Sequence, residues 1–158
     1  MIRPFAEPDL ASVHSIQLQC PQAAQWPQGE YLRCAGDPAG TVLVAELATN
    51  PPEIAGFAVF HRVMDEAELR NIAVDPAHQR KGIARQLLAE GICIMQGLGV
   101  RRLFLEVRAS NQPALALYAG AGFKLLYTRP GYYQDPPEDA LVMARDLTPD
   151  AGIRSVPR

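Results

Sequence analysis

Apolar side chains recur along this chain with two different periods. Between residues 41 and 74, runs rich in β-branched and apolar residues are separated by short polar or proline-containing turns, which predicts an antiparallel meander. From residue 83 the apolar residues repeat at helical spacing on one face, and Gly97 and Gly99 mark the end of that helix. The predicted strands are 2–6, 41–47, 54–63, 68–74, 101–107, 123–128 and 140–146, and the predicted helices are 9–19, 30–34, 83–98 and one that begins near residue 111.

These elements predict one α/β (α+β) domain over residues 1–147. Its sheet is expected to be mixed and mostly antiparallel, with about seven strands flanked by about four helices. The segment RPGYYQDPPED, residues 129–139, is predicted to be a loop between the last two strands. Residues 148–158 contain two prolines and are predicted to form a disordered tail.

Composition narrows the class of protein. The chain has 158 residues, of which 48% are hydrophobic and 20% charged, as is typical of a soluble globular protein. A net charge of −2 argues against a general nucleic-acid or membrane-surface partner. Neither the three cysteines nor the three histidines have metal-ligand spacing, so we expect free thiols, no metal and a cytoplasmic location.

The most informative segment is the polar stretch Gln79 to Ala84, with the sequence QRKGIA, at the start of the third helix. The first turn of a helix leaves backbone N–H groups unpaired and carries the positive end of the helix dipole. Gly82 would let a phosphate approach these donors, Ala84 is also small, and Arg80 and Lys81 add positive charge. The alternative is that Gly82 only turns the chain and that the basic side chains are solvated.

This segment resembles the pyrophosphate-binding motif of the GNAT superfamily of N-acetyltransferases, which has the form Q/R-x-x-G-x-G/A. The flanking sequences NIAVDPAHQRKGIARQLL and LEVRASNQPALALYAGAGF are also similar to that family, and the resemblance covers about residues 53–147. The second sequence, together with GYY and EDA, resembles the branch that acetylates ribosomal-protein alanine and other protein N-termini. The resemblance implies the GNAT fold, acetyl-CoA as co-substrate and the α-amine of a protein or peptide as acceptor.

The resemblance also implies roles for three side chains. Tyr118 matches the tyrosine that lies beside the coenzyme A sulfur and serves as the acid. Glu106 matches the base of the N-terminal acetyltransferase branch, acting through water, and Glu68 matches the base of the histone-acetylating branch. The alternative for either glutamate is an ion pair with a nearby arginine such as Arg70 or Arg108.

The expected cofactor site is larger. The strand 68–74 resembles the one that binds the acetyl carbonyl in the family, which implies that a backbone N–H of Ile72, Ala73 or Val74 is the donor. Asn111 is expected to cap its helix, to hydrogen-bond coenzyme A, or to do both. The predicted cofactor-binding residues are Ile72, Ala73, Val74, Gln79, Arg80, Lys81, Gly82, Ile83, Ala84, Asn111 and Tyr118.

The acceptor side matches the family more loosely. Trp26 is similar to an acceptor-side tryptophan of the N-terminal branch, and Tyr132 and Tyr133 are candidates to line the acceptor groove. Arg70 departs from the family, where this position is usually apolar; it would favour an acidic acceptor or pair with Glu68. At pH 7 an α-amine is about 10% neutral and a lysine below about 0.1%, so a water-relayed base suits an α-amine. A small-molecule amine acceptor and a non-catalytic acyl-CoA-binding module remain alternatives, and the protein is expected to be a monomer or a homodimer.

Overall fold

The computed structural model describes residues 1–147, so the predicted tail, 148–158, lies outside the described residues. The helices are α1 (Leu10–Leu18), α2 (Gln28–Gly36), α3 (Ile83–Gly97) and α4 (Gln112–Gly120), with short 3-10 turns at Glu7–Asp9 and Pro76–His78. The strands are β1 (Ile2–Pro4), β2 (Gly40–Leu47), β3 (Glu53–Val63), β4 (Glu66–Val74), β5 (Arg102–Arg108), β6 (Lys124–Gln134) and β7 (Pro137–Asp146).

The strands form one sheet in the order β1-β2-β3-β4-β5-β7-β6. The pairs β1/β2, β2/β3, β5/β7 and β6/β7 are antiparallel. Strands β4 and β5 pair in parallel over Glu66–Glu68, as expected when a helical connection, here α3, joins two strands. The predicted fold class, a mixed and mostly antiparallel sheet with four helices, is confirmed.

Backbone contacts divide the chain into two compact units. The first contains Met1–His61 and Leu69–Gly91, and the second contains Arg62–Glu68 and, among the described residues, 92–147. The prediction of a single domain over residues 1–147 therefore stays a prediction.

The core of the first unit lies between helices α1 and α2 and strands β2, β3 and β4. Helix α3 approaches β3 closely, because a Cβ on Gly91 would lie 2.1 Å from the ring of Phe60. The buried members of this core are Val13, Ile16, Tyr31, Cys34, Val42, Val44, Phe57, Val59 and Ala73.

In the second unit, β5 follows the alternation that its sequence predicts. Leu103, Leu105 and Val107 are buried, while Phe104 and Glu106 are half-buried on the opposite face. The predicted loop over residues 129–139 is wrong, because β6 and β7 continue through most of it as a long hairpin.

The reason lies in the pairing of this hairpin. Its register shifts between Arg129 and Tyr133, and pairing then resumes as far as Gln134 opposite Pro137. Residues 130 and 131 are Pro-Gly and fall inside this irregularity, with a φ of 60° at Gly131. A proline at a bulge removes no ladder hydrogen bond, so it bends the strand without ending it. Helix α2 is likewise longer than the predicted helix 30–34.

Candidate active site

The end of β4 leads into the segment Gln79–Ala84, which resembles a pyrophosphate-binding motif. A tightly hydrogen-bonded turn connects the two. The Asp75 backbone N–H donates to Ala55 O at 2.8 Å, and its carboxylate accepts from the backbone N–H of Ala77 at 2.9 Å. The Gln79 side chain then donates to Val74 O at 3.1 Å. These bonds fix the path of the chain from the strand to the first residue of α3.

Gly82 precedes α3 in the left-handed region, with a φ of 81°. A Cβ built on it would meet no atom within 4 Å, so packing does not require a glycine there, whereas the backbone conformation favours one. The first intrahelical acceptor is Gly82 O, which receives the N–H of Gln86 at 3.0 Å. Helix geometry therefore leaves the N–H groups of Ile83, Ala84 and Arg85 at the first turn to point along the axis.

Basic side chains surround this helix start. Arg80 and Lys81 are exposed, and Arg80 also adopts a positive φ of 66°. Lys81 Nζ lies 3.3 Å from Nδ1 of His78, whose Nε2 lies 3.1 Å from the carboxylate of Glu53. A helix start with adjacent exposed cations has the chemistry of an anion site.

The three β4 residues predicted to face the acetyl group lie directly before this turn. Ala73 and Val74 are buried and Ile72 is half-buried. A Cβ on Gly56 of β3 would lie 2.9 Å from Ala73 O, so the two strands approach closely here. Val74 O also accepts from the Cys20 thiol at 3.3 Å, and burial raises the pKa of that thiol. The role of the backbone N–H groups of residues 72–74 stays a prediction.

A buried hydrogen-bond network joins β4 to the segment between α1 and α2. The Asn71 side chain accepts from Ala24 N at 3.1 Å and donates to Ala24 O at 3.0 Å and to the Tyr31 hydroxyl at 3.2 Å. The Tyr31 hydroxyl donates to Gln17 Oε1, and Gln17 Nε2 donates to Trp26 O at 3.0 Å. This network is not among the features predicted from the sequence, where its signal is limited to polar residues at otherwise apolar strand and helix positions.

The network holds Trp26, the predicted acceptor-side residue. The Trp26 ring is half-buried and tilted against Tyr31, with ring centroids 5.3 Å apart. The guanidinium carbon of Arg70 lies 5.9 Å from the centroid of the Trp26 ring, within the range of a cation–π contact. Two of the predicted acceptor residues, Trp26 and Arg70, are thus brought together.

In the second unit, Glu106 lies on β5 with 24% of its side chain exposed. Its Oε1 lies 3.8 Å from Nε of Arg129 on β6. This contact fits the alternative of an ion pair with a nearby arginine, which is Arg129 and not Arg108. The Arg108 guanidinium instead lies 4.1 Å over the Tyr133 ring and 3.3 Å from the Glu138 carboxylate. Long-range pairing of β5 with β7 and of β7 with β6 decides this choice of arginine, which sequence spacing does not reveal.

The tyrosines of the β6 strand form an aromatic group beside Arg129. Tyr132 and Tyr133 contact each other edge to face, with centroids 5.2 Å apart, and the Arg129 guanidinium carbon lies 5.4 Å from the Tyr132 ring. Burial raises the pKa of Tyr133, with a smaller contribution from the nearby carboxylate of Glu106. Contact of these rings with an acceptor stays a prediction.

Helix α4 places Asn111 and Tyr118 as its sequence suggests. The Asn111 carboxamide oxygen accepts from Ala114 N at 3.2 Å, so Asn111 is the N-cap; hydrogen bonding to coenzyme A stays a prediction. Tyr118 is 6% exposed, and its ring lies 5.9 Å from that of Phe123. Burial, with a smaller effect of Tyr133, raises the pKa of Tyr118 above its ordinary value, so the phenol is protonated at neutral pH.

Glu68, the other candidate base, differs in its surroundings. It lies opposite Phe104 in the parallel pair of β4 and β5 and is exposed, whereas Glu106 is half-buried. Over residues 1–147 no group of three or more His, Cys, Asp or Glu side chains is arranged to bind a metal. Within the same residues, no helix has the length and apolar character needed to cross a bilayer.

The chain matches the family described as acetyltransferase (GNAT) over residues 10–123. The chain belongs to the GNAT family of acetyltransferases. It is 41% identical over 142 residues to the [ribosomal protein bS18]-alanine N-acetyltransferase of Escherichia coli strain K12, covering 89% of this chain and 93% of the relative. It is 35% identical over 147 residues to the enzyme of the same name from Haemophilus ducreyi, covering 91% of this chain and 98% of the relative.

A solved structure agrees with these relatives. The crystal structure of the ribosomal-protein-S18-alanine N-acetyltransferase from Escherichia coli matches this chain with a TM-score of 0.79 and 36% identity over 93% of each chain. This GNAT chain is thus an N-acetyltransferase, an enzyme rather than a non-catalytic module, and acetyl-CoA is the acetyl donor of its family. The first turn of α3 has the chemistry that a pyrophosphate group requires.

Proposed function

We propose that this GNAT enzyme acetylates the α-amine of a protein N-terminus, and specifically the N-terminal alanine of a bS18-type ribosomal protein. Two observations support the acceptor: the full-length similarity to bS18-alanine N-acetyltransferases, and a half-buried carboxylate, Glu106, at the position of a water-relayed base. The second carries the proposal, because it concerns this chain's own chemistry. The acceptor and the donor bind together and the acetyl group moves directly between them.

On the donor side, the first turn of α3 binds the pyrophosphate of acetyl-CoA. The N–H groups of Ile83 and Ala84 donate to its oxygens, and the exposed cations of Arg80 and Lys81 add charge attraction. Gly82 is needed because its conformation and lack of a side chain let the phosphates reach these donors. A backbone N–H of Ile72–Val74 stabilises the oxyanion that develops on the acetyl carbonyl.

At the acceptor, the neutral α-amine attacks the thioester carbon. An α-amine with a pKa near 7.7–8.0 already supplies about 10% of the reactive form at pH 7, so a base acting through one water molecule suffices. Glu106 receives the proton that the nitrogen loses. Glu68 is the second candidate for this role, but its greater exposure makes it the weaker one.

As the C–N bond forms, the C–S bond breaks and the sulfur gains a proton. Burial raises the pKa of Tyr118 above its ordinary value of about 10, whereas a cysteine-like thiol has a pKa near 8.5. Complete transfer of the phenol proton to sulfur is therefore uphill. Tyr118 stabilises the departing sulfur by a donated hydrogen bond, and the sulfur takes its proton from solvent. Glu106 then returns the proton of the amine to solvent, so no proton is gained or lost overall.

The test is acetyl transfer to a peptide with the N-terminal sequence of a bS18 protein. Glu106→Gln should lower kcat by about 10²–10⁴-fold with unchanged affinity for acetyl-CoA, and Tyr118→Phe should lower kcat by a smaller factor. Glu68→Gln is the matched control and should retain most of the activity. A fully active Glu106→Gln enzyme would remove the proposed base, and loss of activity only in Glu68→Gln would assign the base to Glu68.

A small-molecule amine is the second candidate acceptor, and Arg70 is the observation that favours it. Its guanidinium, placed over Trp26, could bind the carboxylate of an amino acid. Thiol release from acetyl-CoA with free amino acids and polyamines, compared with peptides, separates the two acceptors. For a ribosomal-protein acceptor we also propose a cytoplasmic location; a monomer or homodimer remains the prediction for its assembly.

A further inference from the structure

The Asn71 carboxamide is matched to the backbone of a single residue. It accepts a hydrogen bond from Ala24 N and returns one to Ala24 O, at 3.1 and 3.0 Å, as a neighbouring strand would do. Its remaining N–H donates to Tyr31 at 3.2 Å. A single strand side chain thus binds both polar groups of one loop residue.

A second contact holds the same loop two residues later. Tyr31 passes the network to Gln17, and Gln17 donates to Trp26 O at 3.0 Å. Asn71, Tyr31 and Gln17 are 5%, 0% and 1% exposed, so water cannot replace a lost partner. A lost hydrogen bond would leave a buried polar group unpaired, which is costly, so the network favours one conformation of residues 24–26 over all others.

The conformation that is held sets the place of the Trp26 ring. The ring rests on Tyr31, itself a member of the network, and the Arg70 guanidinium lies over it from the residue next to Asn71. Polar networks of this kind specify geometry more than they add stability. Core packing alone would be served equally well by an apolar residue at position 71.

We infer that Asn71 is a positioning residue for the acceptor peptide. It fixes residues 24–26 so that Trp26 and Arg70 form a rigid wall against the peptide residues that follow the acetylated one. The inference rests on the proposed function, since only a peptide acceptor extends beyond its amine. A pre-ordered wall lowers the entropy cost of peptide binding and leaves the binding of acetyl-CoA unaffected.

The experiment measures acetyl transfer to a six-residue peptide that begins with alanine, using the full chain. Asn71→Leu, similar in shape, should raise the peptide KM about tenfold while kcat changes less than about threefold and acetyl-CoA affinity is unchanged. With alanine amide, which has no following residues, the variant and the wild type should behave alike. The same tenfold rise is expected for Trp26→Ala.

The decisive readout is the double variant. If Asn71 acts through Trp26, Asn71→Leu should add almost nothing to the KM of Trp26→Ala. The matched control is Val44→Ala, a fully buried core residue of the same unit, which should lower Tm at least as much but leave the peptide KM unchanged. If Val44→Ala and Asn71→Leu raised the peptide KM equally, Asn71 would have only a structural role and the inference would be overturned.

Tyr31→Phe removes only the hydroxyl that links Asn71 to Gln17, and decides the matter if Asn71→Leu does not fold. It should raise the peptide KM about threefold, and an unchanged KM would overturn the inference. Failure of the proposed function looks different, because the wild type would then be inactive with every peptide and active only with small amines. If the wild type is active on peptides but the Asn71 and Tyr31 variants have an unchanged peptide KM, this inference alone is overturned.

Discussion

The segment Gln79–Ala84 and the segment Ala24–Trp26 are built on opposite principles. The first is shaped by its own backbone: a turn, a glycine with a φ of 81° and a helix start lie within six consecutive residues. The second is shaped by side chains at positions 17, 31 and 71, which come from α1, α2 and β4. A site made of contiguous backbone tolerates change in its side chains, whereas a site held by distant side chains depends on each of them.

Between these two segments, the largest effect should follow from a change to the backbone of the first. Gly82→Val forces a β-branched residue into the left-handed region and places a side chain in the path of the phosphates, so acetyl-CoA should bind about 10–100-fold more weakly. Isothermal titration measures this affinity. Gly99→Val is the matched control, since Gly99 has a φ of 83° and equally open surroundings but lies at the other end of α3. Equal affinity losses in both variants would contradict the special role of Gly82.

A change in the second segment should alter kcat/KM for the peptide and leave the affinity for acetyl-CoA unchanged. Replacing Trp26 by alanine removes the ring that Asn71 and Gln17 hold in place, so kcat/KM for a bS18-type peptide should fall about tenfold. Leu18→Ala, which removes an exposed apolar side chain from α1, should have no such effect. If Trp26→Ala bound acetyl-CoA more weakly, the claim that the second segment acts only on the peptide would be contradicted.

Side-chain charge in the first segment should matter less than its backbone. Arg80→Ala and Lys81→Ala should each weaken acetyl-CoA binding about threefold at low salt, and less at high salt, because both cations are exposed and screened. Lys124→Ala, an exposed cation on β6, provides the comparison. A loss as large as that of Gly82→Val would show that charge, and not the helix start, binds the phosphates.

The smallest effect concerns alkaline pH. Burial is the main cause that raises the pKa of Tyr31, and the hydrogen bond with Asn71 opposes it in part. Because the folded pKa exceeds the unfolded value of about 10, this contribution to stability is complete below pH 10 and is lost as pH rises above it. Urea unfolding between pH 8 and 11 should therefore show a shallower alkaline decline in Tyr31→Phe. If the wild type and Tyr31→Phe lost stability equally as the pH rises, the raised pKa of Tyr31 would be contradicted.

The same contrast explains what the sequence could predict. The strands of the meander, the amphipathic α3 and the alternation along β5 are local periodicities, and the fold class follows from them. The segment Gln79–Ala84 is contiguous, so its motif can be recognised in the sequence. The N-cap at Asn111 can also be predicted from the sequence, because it depends only on residues of its own helix.

What was missed depends on contacts between distant positions. The 129–139 loop was predicted from its Pro and Gly residues, yet pairing with β7 carries the strand through them. Arg129 meets Glu106 only because β7 lies between β5 and β6. Asn71, Gln17 and Tyr31 are separated by up to 54 positions, from 17 to 71, and no spacing rule connects them.

The most direct test of the account uses two peptides of one bS18-type sequence that begins with alanine and contains one lysine. In the first the α-amine is free and the lysine is acetylated; in the second the α-amine is acetylated and the lysine is free. We expect thiol release and one added acetyl group, located by mass spectrometry at the N-terminus, with the first peptide alone. Acetylation of the lysine peptide at a comparable rate, or of neither peptide while small amines react, would contradict it.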